Sequence, residues 1–154
     1  MKTGYCDKLE NGLSVCVDWI AFTIDKISSI ERIVNLLGYS FNDFVALPSG
    51  ANGYKKQIVC SSGGLRVMYD GNDGMGVHVV VSGSTVDDVL FRFCNRNLID
   101  TPFNSKGYVT NDFNSTVLAD FLLMVRDYGH LTRLDLTIDD YGANYSTIHE
   151  LPEL

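Results

Sequence analysis

The stretch Leu131-Thr132-Arg133-Leu134-Asp135-Leu136-Thr137-Ile138-Asp139-Asp140 decides how the rest of this sequence reads. Apolar and polar residues alternate with period two, which predicts a strand with Leu134, Leu136 and Ile138 on a core face. The opposite side carries Arg133, Asp135, Thr137 and Asp139, two carboxylates and a guanidinium on one row. Side chains two apart on a strand sit roughly 6.5 to 7 Å apart. Asp135 and Asp139 therefore flank Thr137 at a spacing that lets other strands complete a site for a cation or a phosphate. On spacing alone the plainer reading is the favoured one: polar residues on the solvent face of an antiparallel strand are ordinary, and a surface Arg–Asp pair contributes little.

Working outward, the bulk properties set limits. A chain of 154 residues fits one domain and buries roughly 68–70% of its unfolded surface. Its 45% hydrophobic and 20% charged residues are those of a folded globular protein. The net charge of −7 argues against holding nucleic acid by bulk electrostatics and leaves room only for a small, locally basic groove. Cys6, Cys16, Cys60 and Cys94 are scattered without metal-binding spacing, and the N-terminus has no secretory signal. They are expected to be reduced thiols of a cytoplasmic protein. No window approaches ~18 uninterrupted apolar residues, so no membrane partner is expected.

Upstream of the acidic strand, residues 1–14 are expected to be a polar lead-in to a domain over 15–154. Ser14 to Ile24 is nearly continuous in apolar and β-branched types and predicts a central strand. Asp18 is its odd member, expected to be paired or near the strand end. A helix is predicted from Ser29 to Leu37, ended by Gly38. Tyr54–Ser61 and Leu65–Asp70 predict a hairpin through Ser62-Gly63-Gly64, and Met75–Gly83 a further strand carrying His78. Two more helices are predicted, over 85–95 with Ser84 or Thr85 as cap, and over 115–128 with Gly129 just past its end. The order gives an α+β fold: an antiparallel β-sheet of about five strands with two to three helices packed on one face. Such a sheet leaves its other face free for the polar row.

"VDWIAFTI" at 17–24, "GYKKQIV" at 53–59, "GMGVHVVVSG" at 74–83 and above all "LTRLDLTIDDYG" at 131–142 resemble the replication initiation factor family. These are rolling-circle replication initiators of plasmids, phages and integrative elements. The resemblance runs from about residue 15 to the end and implies a DNA nicking-closing enzyme. A tyrosine attacks the origin strand, and a divalent ion, Mg²⁺ or Mn²⁺, neutralises charge at the phosphate. It implies Asp135 and Asp139 as metal ligands or the groups directly behind them, Arg133 as a phosphate contact or the group that orients a carboxylate, and Lys55, Lys56 and Arg66 as DNA contacts. It also implies origin DNA as partner, with a helicase and self-association as further possibilities. Two departures stand out. Ser82-Gly83 is followed by Ser84-Thr85 where the family has a Gly-Cys-Arg sequence, and the nucleophilic tyrosine segment falls beyond Leu154. Tyr141 and Tyr145 are nearest the acidic strand, and neither stands in that motif. The chain is therefore expected to be the N-terminal part of an initiator that does not nick DNA alone. The rivals are a non-catalytic DNA- or protein-binding module, and a small interaction domain whose polar strand is plain surface.

Overall fold

The computed structural model describes the backbone of residues 5–8, 12–96 and 115–140, with side chains over 12–96 and 117–138. The predicted loop after residue 96, Tyr141, Tyr145, the Asp139 side chain and a capping box at Thr147–Glu150 lie outside the described residues.

Among the described residues, seven strands and three α-helices follow in the order β1 (Tyr5–Lys8), β2 (Leu13–Ile24), α1 (Ile30–Leu36), β3 (Phe44–Ala46), β4 (Lys56–Cys60), β5 (Leu65–Tyr69), β6 (Val77–Ser82), α2 (Thr85–Asn95), α3 (Ser115–Tyr128) and β7 (Gly129–Asp140). All pairings are antiparallel. The fold is the expected α+β layer, and the two strands beyond the expected five are β1 and β3. These short strands, of four and three residues, form by annealing to an existing edge. Too short to show a period, they leave no pattern to read.

β2 organises the sheet. β7 pairs along it from Leu13 to Ile24, β6 takes Trp19–Ile24, and β1 takes Ser14–Val17. β7 overlaps both of the others, so it owns one edge of β2 while β1 and β6 share the opposite edge end to end. The order across the sheet is then β7-β2-β6-β5-β4-β3.

One face is the core. Val17, Ile20, Phe22 and Ile24 of β2 join Val77, Val79 and Val81 of β6 against all three helices. α1 contributes Ile33 and Val34, α2 contributes Val89, Leu90 and Phe93, and α3 contributes Phe121 and Val125. Phe121 meets Phe22 edge-on at 5.6 Å and Phe93 at 5.1 Å, tying α3 to both sheet and α2. Beside it, the Tyr39 hydroxyl donates to Asp88 at 2.5 Å while Arg92 lies over the Tyr39 ring. Burial and the Asp88 carboxylate push the Tyr39 hydroxyl far above the usual phenol range, so it is a structural group.

Four expectations change. Leu134 packs against the core, but Leu136 and Ile138 are 53% and 69% exposed. Twelve strand residues span about 40 Å, against about 21 Å for the fourteen of α3, so the strand outruns its covering helix. Gly129 is not a helix cap but the first residue of β7. A Cβ there would stand 1.8 Å from the Thr23 carbonyl oxygen, so only glycine lets α3 turn directly into a strand paired with β2. Ser84 makes no side-chain cap, and Thr85 donates instead to the Gly63 carbonyl at 3.1 Å, clamping the β4–β5 turn to α2. Cys16 stands opposite Cys6 in the β1–β2 ladder and is disulfide-bonded, contrary to the reduced state expected; Cys60 and Cys94 are free thiols.

Candidate nucleic-acid interface

The helices and core side chains take one face of the sheet; the register of the strands lays out the other. Reading across the ladders, Arg133 of β7 pairs Ala21 of β2, Ala21 pairs Val80 of β6, Val80 pairs Arg66 of β5, and Arg66 pairs Val59 of β4. This makes one continuous transverse row with an arginine near each end and small or short side chains between. Three strand spacings separate the two arginines, about 14 Å between their backbones. The next row holds Asp135, Trp19 and Ser82. The row on the other side holds Thr23, His78, Met68 and Gln57.

At the β7 end the polar groups interlock. The Arg133 guanidinium donates from Nε to Asp135 Oδ1 at 3.0 Å and from an Nη to Oδ2 at 2.6 Å, a two-pronged grip. That hydrogen bonding holds the Asp135 carboxyl below its ordinary range and the Arg133 guanidinium above its own. The same guanidinium lies over the Trp19 ring, 4.3 Å from its centroid. The register of β2 slips between Val17 and Trp19. A bulge there turns both Asp18 and Trp19 to the helix-free face. Asp18 accepts from the Thr137 hydroxyl at 2.5 Å, so the carboxylate that looks out of place in an apolar strand belongs to the polar row of β7.

Toward β5, Trp19, Asn52, Val59, Arg66, Val80 and Ser82 enclose a shallow pocket of about 300 Å³. Asn52 reaches it from the turn before β4, in a left-handed conformation at φ 55°, and its amide donates to Met68 Sδ at 3.6 Å. Arg66 is exposed and makes no hydrogen bond or ion pair among the described residues.

His78 is in hydrogen-bond contact with Thr23 at 3.2 Å and stacks under Tyr54. Burial, with His130 nearby, keeps its pKa below the ordinary 6.5, as expected of a neutral structural histidine.

The expected site residues therefore separate. Arg133, Asp135 and Arg66 share the helix-free face. Lys56 shares the parity of the core residues Ile58 and Cys60, so it points to the other face, where it pairs with Asp70 at 3.8 Å. Lys55 is exposed in the approach to β4. Trp19 and Asn52 escape sequence reasoning. Trp19 lies inside an apolar run whose face a bulge reverses, and Asn52 in a turn that only tertiary contact brings to the pocket.

The resemblance implies a divalent ion, and the oxygen donors here are of the type Mg²⁺ or Mn²⁺ prefers. Their arrangement among the described residues does not make a site. No group of three metal-binding side chains gathers there, and both oxygens of Asp135 are held by Arg133. The ion would have to take Arg133's place on that carboxylate.

Residues 14–100 match the profile of the rolling circle replication initiation protein N-terminal domain. Among solved structures the chain is similar to a rolling circle replication initiator protein from Geobacillus stearothermophilus, at 22% identity and a TM-score of 0.58. The match covers 90% of this chain and 49% of that one, so the chain spans about half of that protein's length. No curated protein matches the sequence significantly.

Proposed function

Since this chain belongs to the rolling circle replication initiation proteins, carrying their N-terminal domain, we propose that it binds origin DNA on the helix-free face of its sheet, in the cytoplasm. The observation that supports this is the transverse row Arg133–Ala21–Val80–Arg66. Arg66, with no anion on it among the described residues, and Arg133, whose charge is shared with Asp135, flank a low apolar floor beside an aromatic ring, and that combination suits a sugar-phosphate chain with exposed bases. The net charge of −7 makes the local arrangement decisive, because repulsion from the rest of the surface confines DNA to where cations gather.

The experiment is binding of a labelled origin-hairpin oligonucleotide, followed by anisotropy at increasing salt. Binding that weakens with salt, and that fails in the Arg66→Ala/Arg133→Ala double variant at unchanged thermal stability, supports the proposal. Equal binding by the double variant overturns it. The reading extends to strand nicking through a tyrosine, and to a divalent ion at Asp135 with Asp139 that would displace Arg133 from the Asp135 carboxylate. A helicase and a second copy of the chain are the protein partners it carries. The described residues by themselves support the binding step: Tyr39 is locked in the helix layer, and the Tyr54 hydroxyl donates to the Met75 carbonyl.

A further inference from the structure

We propose that the pocket between Trp19 and Arg66 seats one unpaired nucleobase, so that the domain grips its DNA as a single strand. The inference rests on the DNA-binding reading above and deepens it.

The pocket has the three parts such a ligand requires. The first is a flat aromatic wall. Trp19 is only half-buried and stands outside the core cluster, so its ring is available to a ligand. Arg133 lies over this ring and is itself clasped by Asp135, which holds the indole in place before any ligand arrives. The second is a small set of polar atoms on an otherwise apolar lining. The Asn52 amide group and the Ser82 hydroxyl project among Val59, Val80 and Met68. The Asn52 amide nitrogen is turned to Met68 Sδ, which leaves its carbonyl oxygen as an acceptor for a base edge. The third is a cation for the attached phosphate. Arg66 lines the pocket, is exposed, and has no protein anion to satisfy it among the described residues.

Size points the same way. A pocket of about 300 Å³ lies at the lower end of the range for small-molecule sites, on the scale of one base and far below that of a paired duplex. Stacked base pairs present only edges to a protein, whereas a ring standing on a sheet face needs the flat face of a base. The shared chemistry is a planar base bearing a phosphate, found in a free nucleotide as well as in a strand. The row running on from Arg66 to Arg133 favours the strand, because further nucleotides can lie along it and reach the Arg133 N–H donors that Asp135 does not use.

Trp19 is the only tryptophan of the chain, so its fluorescence reports on this pocket alone. The test titrates the intact chain with labelled oligothymidylate, the same strand with abasic sites, a duplex of equal length, and thymidine monophosphate. Anisotropy reports binding and indole emission reports stacking. The expected result is quenching that saturates together with anisotropy for oligothymidylate, and neither quenching nor tight binding for the abasic strand. Trp19→Ala should weaken oligothymidylate binding about 5- to 150-fold, the range of one lost base stack. Trp19→Phe should recover most of that loss, and thermal unfolding of each variant checks the fold.

Anisotropy without quenching, and Trp19→Ala binding like the parent, overturns the base pocket while leaving DNA binding intact. Quenching by the duplex as strong as by the single strand overturns it also. Quenching by the mononucleotide at equal concentration assigns the pocket to a free nucleotide and overturns the single-strand grip. Failure of both signals removes the DNA reading together with the pocket.

Discussion

Arg66 and Lys56 lie ten residues apart on neighbouring strands of one hairpin, and replacing either with alanine removes one positive charge. Their faces differ. Arg66 ends the transverse row on the helix-free side, whereas Lys56 shares the core parity and is already paired with Asp70. A phosphate held by an exposed guanidinium gains about 1.5 kcal/mol, the low end for a charge-assisted hydrogen bond, which corresponds to about 10-fold in affinity. Arg66→Ala should therefore weaken single-stranded DNA binding about 10-fold and flatten the slope of log affinity against log salt by about 0.7. Lys56→Ala should change affinity less than about 2-fold. It lies on the opposite side of the sheet from the strand, and its charge is already engaged by Asp70 and screened by salt. The assay is anisotropy of a labelled strand at four or more salt concentrations, on proteins of matched thermal stability. Equal losses from both variants would refute the sidedness argument, because they would mean that net charge rather than a face holds the strand.

Other consequences concern stability and the acidic strand. Phe121→Ala should cost about 3–5 kcal/mol, because the ring is fully buried and meets two others edge-on; a urea midpoint shift at constant slope measures it, and a loss below about 2 kcal/mol contradicts that packing. His78 has its pKa depressed by burial, so the unfolded chain binds the extra proton first, and stability should be complete above pH 6.5 and fall as pH drops below it. His78→Gln should flatten that limb in denaturation measured from pH 7.5 to 5, and an unchanged slope counts against the assignment. Asp135 is also depressed, by its bond to Arg133, so its contribution is present above the ordinary carboxylate value of 3.8 and is lost only at lower pH, a separate window. If the Asp135 carboxylate takes a divalent ion, Asp135→Asn should weaken Mn²⁺ binding and Arg133→Gln should tighten it, since the guanidinium competes for the same oxygens; an Mn²⁺ titration insensitive to both removes Asp135 from any metal site.

Much of this arrangement was legible before any coordinates. The alternation of 131–140, the continuous apolar run of β2, the Gly-rich β4–β5 turn and the three helical stripes each carry a local period, and each element formed where its period lies. The faces were harder. Periodicity predicted a core role for Leu136 and Ile138, but a strand about twice as long as its covering helix leaves its far end bare. Asp18 read as an anomaly because its explanation, the hydroxyl of Thr137, lies 119 residues away.

Side-chain alternation along single segments carries the α+β class, the elements, and the concentration of Arg133 and Asp135 on one side of a strand. Which groups meet depends on how distant segments pair. The ladder register aligns Arg66 with Arg133 across four strands, a one-residue bulge turns Trp19 to join them, and the pleat sends Lys56 to the opposite face. Register is set by hydrogen bonds between segments far apart in the chain, so no single stretch contains it.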